Sequence, residues 1–384
     1  MSVSLPDNYL QVVSTATDNG NIIELSQQRV VIKEPEGKQV LIQIEAAPIN
    51  PSDLGPLLGS ADVSSSTHSG AHEHAVTSLP VSEDRRAAMT TRIGKPMLTG
   101  FEGSGVVVAA GDDPSAQELL GKVVAATATG MYAEYRLVSV SDCLVLPDGT
   151  PPEACASCFV NPLTVLGMLE TAQREGHHAV VNTAAASQLG QMMNRVCIND
   201  GIGLVNVVRR PEQVQLLRDM GATHVCDTSS PDFLAELTEA VAVTGATICF
   251  DATGGGPLAG QVLKAMEDVA RRGQSEIKKY GSSVHKQVYL YGGLDPRPTA
   301  FRKSDFGSSW MIGEWRLTPY LKRIDRVVSD ALRARVAAEI QTTFKTNYAK
   351  AIPLTGLLDP DEIQIYSQRS TSAKYLVRPH LVTE

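Results

Sequence analysis

Hydrophobic and polar positions follow two different rhythms along the 384-residue chain. From about residue 178 onward, short runs rich in β-branched residues, beginning at 179–182, alternate with stretches in which apolar residues recur at helical spacing, as at Leu258, Val262 and Met266. Such alternation is typical of βαβ units and a parallel sheet. The middle of the chain is therefore predicted to be an α/β domain. Its further predicted strands are 204–208, 223–226, 247–250 and 288–291.

The two ends of the chain share a second pattern, in which short strand-like pieces are separated by proline, glycine and polar turns. We predict that both ends build one β-rich domain, residues 1–158 and 338–384, and that the α/β domain at 159–337 interrupts it. The predicted strands of the β-rich domain include 30–32, 40–45, 105–109, 352–354 and 373–377.

Residues 60–96 stand apart because they are polar, rich in Ser, Thr and His, and longer than most connections within a domain. His68, His72 and His74 are accompanied only by Glu73, without cysteines or spaced carboxylates, so no metal site is predicted there. The segment is predicted to be a long surface loop or an active-site lid.

Composition and charge exclude several classes of partner. With 43% hydrophobic and 20% charged residues the chain has the composition of an ordinary folded protein, and its net charge of −8 disfavours nucleic acid. Uninterrupted apolar runs fall short of the roughly 18 to 20 residues that a membrane helix needs, and the first ten residues do not resemble a signal peptide. We expect a cytoplasmic protein without membrane contact. Cys155 and Cys158 form a lone CxxC, without the second pair that a tetrahedral metal site requires.

The turn after the strand 179–182 carries the first candidate chemistry. A dinucleotide-binding fold needs small residues there, because the backbone passes close to the pyrophosphate and the following helix points its free amides at that charge. Only one of the usual three glycines is present, but the turn follows a strand, opens a helix and begins a βαβ unit. The predicted cofactor contacts in this turn are Ala184, Ala185, Ser187, Gln188, Leu189 and Gly190.

The end of the next strand predicts which dinucleotide binds. Where an NAD site would place an acidic residue for the ribose hydroxyls, this chain has Arg209 and Arg210. Guanidinium groups suit a 2′-phosphate, so NADPH is the predicted cofactor. Two later strands end in glycines at the same sheet edge, which predicts close approach to the nicotinamide half of the cofactor. The candidate residues at these ends are Thr253, Gly254, Tyr291, Gly292 and Gly293.

Several motifs resemble those of the medium-chain dehydrogenase/reductase superfamily. The runs 47–53, 100–105 and 131–135 occur in the order found in that superfamily, and 160–164 and 206–210 are similar to its 2-enoyl thioester reductase branch. The resemblance implies a Rossmann-type doubly wound parallel sheet domain plus a β-rich, GroES-like domain. It also implies a homodimer joined at the sheet edge near 288–291, and a role for Thr164 in cofactor binding.

Departures from the superfamily pattern make a zinc enzyme unexpected. Zinc members carry a cysteine near the position of Asn50 and a histidine where this chain has Phe101, and they carry a four-cysteine lobe that this chain lacks. Without these ligands no catalytic zinc is held. The resemblance then implies a zinc-free, NADPH-dependent reductase of quinones or electron-poor alkenes and enones.

The residues that bind the hydride acceptor and donate a proton to it are less well defined by the sequence. The candidates are Asn50, Asp53, Tyr132 and Asn161, and the proton donor stays open because the tyrosine used by enoyl thioester reductases is missing. Alternatively, Asn50 and Asp53 cap a helix, and Tyr132 is a core aromatic.

Two other functions also stay open. One is a 2-enoyl thioester (CoA or carrier-protein) reductase, with Arg85, Arg86, Arg92 and Lys95 as a basic mouth. The other is a protein that holds NADPH without turnover and acts as a redox sensor.

Overall fold

The structure is a computed structural model that describes residues 5–272, 279–368 and 374–381. The chain divides into two compact units, of which unit 1 is Met1–Val160 with Arg333–Glu384 and unit 2 is Asn161–Leu332.

Eighteen strands and eleven α-helices are found in the described residues. The strands are β1 Asn8–Thr17, β2 Ile22–Val31, β3 Gln39–Pro48, β4 Thr67–Ser69, β5 Val76–Pro80, β6 Met97–Leu98, β7 Glu102–Ala110, β8 Val123–Thr127, β9 Tyr135–Ser139, β10 Cys143–Val145, β11 Ala179–Thr183, β12 Gly203–Val208, β13 His224–Asp227, β14 Ile248–Asp251, β15 Lys286–Leu290, β16 Trp310–Glu314, β17 Lys350–Ile352 and β18 Tyr375–Val377. The α-helices are α1 Pro51–Leu58, α2 Pro114–Gln117, α3 Pro152–Cys155, α4 Val160–Arg174, α5 Gln188–Asp200, α6 Pro211–Asp219, α7 Phe233–Thr244, α8 Leu258–Arg272, α9 Leu317–Leu321, α10 Arg326–Glu339 and α11 Pro360–Tyr366.

Unit 1 is β-rich and contains strands from both parts of the chain. One sheet has the order β4-β5-β2-β1-β6, and the other has the order β10-β8-β7-β3-β18-β17 with β9 also paired to β3. Strand β3 is the centre of the second sheet, and Ile42 and Ile44 on it are completely buried in the main core. This unit is the predicted β-rich domain, so that part of the fold class is confirmed.

Residues 60–96 do not form one long loop, so that prediction is wrong. The segment contains β4 and β5, and β5 pairs with β2 in antiparallel register. Strand β5 buries Leu79 and Thr77 on its inner side, and the Thr77 hydroxyl donates a hydrogen bond to the Leu358 carbonyl. Because one of the two buried side chains is polar, the strand lacks the apolar alternation by which it could be recognised.

Unit 2 is a doubly wound α/β domain, which confirms the other part of the predicted fold class. Its six strands are all parallel and run in the order β13-β12-β11-β14-β15-β16. Strand β11 lies at the centre and is buried along its whole length, as expected for a strand covered by helices on both faces. The order of the strands reverses between β11 and β14, and such a switch point is where open parallel sheets bind their ligands.

Strand β16 was not predicted from the sequence, whose last predicted strand in this sheet is 288–291. It pairs in parallel register with β15, so Val288 to Leu290 do not form the sheet edge. The sheet edge near 288–291 is therefore formed by β16, and the predicted homodimer at this edge stays a prediction. The Trp-Met-Ile-Gly-Glu sequence of β16 lacks β-branched residues apart from Ile312, and this is why no strand was predicted.

Unit 2 also buries an ion pair, Lys286 with Glu267, in which every charged atom has a hydrogen-bond partner. The Lys286 ammonium donates to Glu267 Oε2 (2.7 Å), to the Ser282 hydroxyl (2.9 Å) and to the Val284 carbonyl (2.6 Å). The Ser282 amide donates to Glu267 Oε1 (2.8 Å), and its hydroxyl donates to Oε2. All three ammonium protons and both carboxylate oxygens are thus satisfied. Burial raises the pKa of Glu267, but the hydrogen bonds from Lys286 and Ser282 outweigh burial and leave this pKa lowered.

One stretch, Pro152–Arg174, is long and apolar enough to cross a membrane by length and composition. In the structure 83% of its most apolar window is buried inside the protein, which is the environment of a core helix.

Candidate functional site

The turn between β11 and α5 has an unusual backbone. Ala184 adopts a positive φ of 49°, a left-handed conformation that costs a non-glycine residue roughly 1 to 2 kcal/mol. The next residue, Ala185, donates its amide to the Val207 carbonyl on β12 (3.2 Å), which holds the turn against the sheet. Strain of this kind tends to be kept at ligand-binding turns.

The first turn of α5 presents free amides to the sheet edge. Ser187 is the N-cap, and its hydroxyl accepts a hydrogen bond from the Gly190 amide (3.1 Å). Within the described residues, the amides of Gln188 and Leu189 have no acceptor, as is usual in a first helical turn. Together with the helix dipole, such amides form an anion site.

Gly190 is required by close packing of the helix on the turn. A Cβ atom at this position would overlap the Ala185 carbonyl group. Of the small residues predicted for the turn, Gly190 is therefore the one for which no larger side chain has room.

The two arginines after β12 differ in their partners. Arg210, the N-cap of α6, lies 3.8 Å from Glu212. The Arg209 side chain is exposed and has no charged partner among the described residues, and its amide donates to Gln213 Oε1 (3.2 Å). Arg209 is thus the better candidate for a phosphate group, because its charge is not offset.

Asp251 joins the ends of β11 and β14 at the switch point. Its Oδ1 accepts hydrogen bonds from the Thr183 hydroxyl (2.6 Å) and the Thr253 amide (2.8 Å), and its Oδ2 accepts one from the Gly254 amide (3.2 Å). The Thr183 hydroxyl in turn accepts from the Ala252 amide (2.8 Å). Sequence reasoning missed this residue, although a carboxylate directly after an apolar strand was a usable signal.

The glycines at the other strand ends lie close to the protein's own backbone. A Cβ atom on Gly254 would overlap the Gly292 carbonyl, and one on Gly292 would overlap the Ala252 carbonyl. The Thr299 hydroxyl donates to the Gly254 carbonyl (2.6 Å). These glycines therefore permit close approach of the protein's own strand ends, whereas a Cβ on Gly293 would meet nothing within 4 Å. Contact of this region with a cofactor stays a prediction.

Tyr291 continues the same edge. Its amide donates to the Asp251 carbonyl (2.9 Å), and its carbonyl accepts from Arg316 (3.2 Å). Burial, followed by the nearby Asp251 charge, raises the pKa of the Tyr291 hydroxyl.

In unit 1, Asn50 is the centre of a buried polar network that also contains Asp53, Glu102 and Lys374. The Asn50 amide donates to Asp53 Oδ2 (2.7 Å), and its side-chain Nδ2 donates to Glu102 Oε1 (2.8 Å). The Lys374 ammonium donates to Asn50 Oδ1 (3.0 Å). Asn50 and Asp53 form a capping box at the start of α1, which is the alternative role that the sequence left open.

Glu102 extends this Asn50 network to another helix. Its Oε2 accepts hydrogen bonds from the amides of Phe159 (2.8 Å) and Val160 (2.9 Å), and Val160 is the first residue of α4. A carboxylate at a helix N-terminus satisfies free amides and the helix dipole. Neither Glu102 nor Lys374 was predicted as a site residue, and a lone charge inside an apolar strand pattern was the only signal for either.

The charges of the Asn50 network are shifted from their ordinary behaviour. Burial raises the pKa of Asp53 to about 7, against the opposing effect of the Asn50 amide, and burial also raises the pKa of Glu102. The pKa of Lys374 is lowered by burial, which the Glu102 and Asp53 charges oppose. Oδ1 of Asp53 has no hydrogen-bond partner among the described residues.

Tyr132 lies beside this network and is completely buried. Its hydroxyl donates to the Pro48 carbonyl (3.1 Å), and a Cβ atom on Gly100 would come within 2.8 Å of its ring. These contacts are those of a core aromatic, the second alternative left open by the sequence. The structure thus brings three predicted catalytic residues together, but in a buried network that suits positioning of the backbone. Their contact with a substrate stays a prediction.

Asn161 and Thr164 lie in the first turns of α4, and both are buried. By the division of the chain they belong to unit 2, whereas Asn50, Asp53 and Tyr132 belong to unit 1. Their predicted contacts with cofactor or substrate stay predictions.

Metal-ligating side chains and the cysteines Cys155 and Cys158 are the remaining candidates for metal or redox chemistry. Across residues 5–272, 279–368 and 374–381, no group of three or more His, Cys, Asp and Glu side chains could hold a metal ion. Cys155 and Cys158 are buried free thiols, and burial raises the pKa of Cys155 to about 12 and also raises that of Cys158. Thiolates, the reactive form, are thus disfavoured at both.

Comparison with known proteins gives both relatives and structural neighbours, although no family model matches the chain. The sequence is 28% identical over 208 residues to the mitochondrial enoyl-(acyl-carrier-protein) reductase of Xenopus tropicalis, which covers 52% of this chain and 51% of that protein. The chain spans about half the length of the curated relatives that it matches.

Solved structures match over nearly the whole chain. A Mesorhizobium loti protein described as an NADPH:quinone reductase is 26% identical with a TM-score of 0.71, covering 98% of this chain and 100% of that one. A mycobacterial protein solved in complex with NADPH has the same fold at 18% identity and a TM-score of 0.66, covering 97% and 100%.

Proposed function

We propose that this chain is an NADPH-dependent, zinc-independent reductase of quinones or electron-poor alkenes and enones. The premise is that its relatives and structural neighbours include quinone reductases and enoyl reductases of the medium-chain dehydrogenase/reductase superfamily. The observation that carries the proposal is the turn from β11 to α5. It combines a strained Ala184, free amides at Gln188 and Leu189, and a Gly190 packed too tightly for any side chain. Together these features fit a dinucleotide pyrophosphate.

Arg209 supports NADPH over NADH. Its guanidinium has no carboxylate partner in the described residues and follows the strand whose end faces the adenosine ribose in folds of this kind. A charged hydrogen bond contributes about 1.5 to 3 kcal/mol, so one engaged arginine gives a preference of at least about tenfold.

When bound, the reduced nicotinamide supplies a hydride to the acceptor. The residues of this chain hold the dinucleotide: the α5 amides bind the pyrophosphate, Arg209 binds the 2′-phosphate, and Asp251 fixes the strand ends around the turn. In unit 1 the Asn50 network holds the first turn of α1 and the amides of Phe159 and Val160. Its buried charges act by positioning the backbone.

The residues at the superfamily's zinc position support zinc independence. Phe101 offers no ligand atom, and the Asn50 side chain already uses both its amide nitrogen and its oxygen in bonds to Glu102 and Lys374. Neither residue suits a metal-bound alkoxide mechanism.

The proposed acceptor is a quinone or enone rather than an enoyl thioester. The basic mouth predicted for a thioester substrate loses Arg92, because its guanidinium donates to the Gly55 and Pro56 carbonyls (3.2 and 2.7 Å) and to the Ser14 hydroxyl (2.9 Å). Arg85 and Arg86 are exposed on a short helical turn.

We also propose a homodimer and a cytoplasmic location. Of the two edge strands of the unit 2 sheet, β13 and β16, we assign the partner chain to β16, which pairs only with β15 among the described strands. All six cysteines are free thiols, which suits a reducing compartment.

The test is oxidation of NADPH and NADH at 340 nm by EDTA-treated protein, with quinones, enones and crotonyl thioesters as acceptors. We expect turnover with NADPH that survives chelation, and a quinone or enone among the substrates. Turnover with thioesters alone favours the enoyl reductase function. NADPH binding without turnover of any acceptor favours the non-catalytic, redox-sensing function, and activity lost on chelation contradicts zinc independence.

A further inference from the structure

Arg136 places a charge on the core side of a strand in unit 1. On β9, Tyr135 and Leu137 pack in a side cluster with Tyr9 and Leu41. Because side chains alternate across a strand, Arg136 points to the opposite face, the face on which Val138 joins the main core. Arg136 is partly buried, and its Nε atom is enclosed by protein.

The Arg136 guanidinium has no partner in the part of the chain that the structure describes. No carboxylate lies within ion-pair distance, and the enclosed Nε has no acceptor. Arg92, another arginine of unit 1, also has an enclosed Nε without an acceptor, but its outer nitrogen atoms donate three hydrogen bonds to the protein, whereas those of Arg136 donate none among the described residues. A partly desolvated cation without a partner is costly, so Arg136 points to an anion that a ligand supplies.

Gly130 makes room for this guanidinium. Its φ of +94° favours glycine, and a Cβ atom there would lie 2.8 Å from Arg136 Nη1 and 2.9 Å from Cζ. The guanidinium therefore lies directly against the Gly130 backbone, which limits its movement and leaves its outer nitrogen atoms as the donors available to a ligand.

The position of Gly130 connects Arg136 to the Asn50 network. The Gly130 and Met131 amides donate to the Gly100 carbonyl (2.9 and 3.2 Å), and the Ala128 amide donates to the Phe101 carbonyl (3.1 Å). Phe101 precedes Glu102, a member of that network. The loop that carries Gly130 is thus fixed to the chain segment that enters the network.

We propose that Arg136, seated against Gly130, forms an oxyanion-binding subsite in unit 1, which takes the carboxylate or phosphate group of a small ligand. A guanidinium fork matches either group through two parallel hydrogen bonds. The inference goes beyond the proposed function, because neither a quinone nor a simple enone carries such a group, and it rests on unit 1 alone.

The test follows the arginine Nε–Hε signals of the full-length protein by NMR while acetate or inorganic phosphate is added at constant ionic strength set with chloride. The Arg136 signal is assigned by its loss in Arg136→Gln. We expect this signal to shift saturably with acetate, with phosphate or with both, which identifies the anion. The Arg29 signal, assigned in the same way by its loss in Arg29→Gln, is the matched control and should stay unchanged during the titration, because Arg29 already pairs with Glu73.

The titration is run with and without saturating NADP+, so that phosphate binding in unit 2 is separated from binding at Arg136. Failure of NADP+ to bind contradicts the proposed function without affecting the Arg136 result. Arg136→Lys keeps the charge but loses the fork, and the anion titration, followed in both proteins by the Gly130 backbone amide signal, should show at least tenfold weaker binding. An Arg136 signal that moves with neither anion, or moves equally with chloride, overturns the proposal.

Discussion

The two units each bury a cluster of charges, and the clusters differ in how completely they are paired. In unit 2, Lys286 and Glu267 satisfy all their donors and acceptors with each other, Ser282 and the backbone. In unit 1, Asp53 keeps an oxygen without a partner among the described residues, and burial raises its pKa to about 7. Complete pairing gives a fixed structural connection, whereas incomplete pairing leaves a group that titrates near neutral pH.

The surroundings of the two clusters explain this difference. Gly281 and Gly307 lie directly against the Glu267 carboxylate, where a Cβ atom would overlap or crowd its oxygens, so the protein backbone closes around the charge. Around Asn50 the hydrogen bonds instead reach the first turn of α1 and the amides of Phe159 and Val160. Unit 2 thus uses its buried charges to hold a loop against the sheet, and unit 1 uses its charges to fix the backbone at these two places.

The largest expected effect comes from breaking the ion pair between Lys286 and Glu267 in unit 2. Lys286→Met leaves the Glu267 carboxylate buried without a counter-charge, which should lower the free energy of unfolding by about 3 to 5 kcal/mol. The double variant Lys286→Met with Glu267→Gln removes both charges and should recover part of this loss. Urea unfolding followed by circular dichroism measures both, and a loss below about 1 kcal/mol for the single variant contradicts the complete pairing of Lys286 with Glu267.

The next largest effect is a pH dependence of the free energy of unfolding, which we expect from Asp53 in unit 1. The pKa of Asp53 is about 7 in the folded protein against 3.8 for the ordinary side chain, so between these values the folded state holds a proton that the unfolded state has released. The contribution of Asp53 to the free energy of unfolding is therefore fully present below about pH 4. It is lost as pH rises towards 7, by a few kcal/mol in total, at about 1.4 kcal/mol per pKa unit. Asp53→Asn, which resembles the protonated acid, should reduce this slope, and the raised pKa of Glu102 contributes the part that remains.

Unfolding free energies from pH 4 to 8 check the Asp53 prediction. The exposed Glu34→Gln variant serves as the control and should keep the wild-type slope. An unchanged slope in Asp53→Asn means that Asp53 does not titrate as proposed.

A smaller effect tests the tight packing of unit 2 at the dinucleotide turn. Gly190→Ala forces a methyl group into the Ala185 carbonyl, which should cost about 1 to 3 kcal/mol of stability and displace the α5 amides. NADPH affinity, measured by quenching of protein fluorescence, should fall with it. Gly55→Ala is the matched control, because a Cβ there meets nothing within 4 Å; equal behaviour of the two variants refutes the steric argument.

The unpaired arginine of unit 2 gives the next prediction. Arg209→Ala should weaken NADPH binding about tenfold, or about 1.4 kcal/mol, and leave NADH binding unchanged. Arg210→Ala should have a smaller effect, because Glu212 already offsets its charge. Isothermal titration of both variants with both cofactors measures the difference, and the reverse ranking contradicts the assignment of the 2′-phosphate to Arg209.

The smallest expected effect concerns backbone strain. Ala184 has a φ of 49°, which glycine adopts without cost. Ala184→Gly should therefore change stability by less than about 1 kcal/mol, since relief of strain and the greater freedom of the unfolded chain oppose each other. Thermal unfolding checks this, and a large loss of stability means that the methyl group of Ala184 is needed for packing.

The sequence predicts those parts of the molecule that depend on local apolar pattern. The runs at 179–182 and 204–208 became β11 and β12 because their side chains are buried on both faces of a parallel sheet. Strands β5 and β16 were missed, because Thr77 is a buried polar residue and the β16 sequence is poor in β-branched residues.

The candidate site depends on contacts that no local pattern reports. Asn50 and Lys374 are 324 positions apart in the chain, so their hydrogen bond follows only from the tertiary fold. Gly254 and Gly292 were recognised as sites of close approach, but the approaching atoms belong to the protein itself. Glycine at a strand end predicts close approach of another group, but only the tertiary fold shows whether that group belongs to the protein or to a ligand.

The most direct test of the account is the affinity of the full-length protein for NADPH and NADH, measured side by side by isothermal titration. The central claim is that the α5 amides and Arg209 form an NADPH site in unit 2. It predicts that NADPH binds at least about tenfold more tightly than NADH. Equal affinities contradict the role of Arg209, and failure of both cofactors to bind contradicts the assignment of the turn from Ala184 to Gly190 as a dinucleotide site.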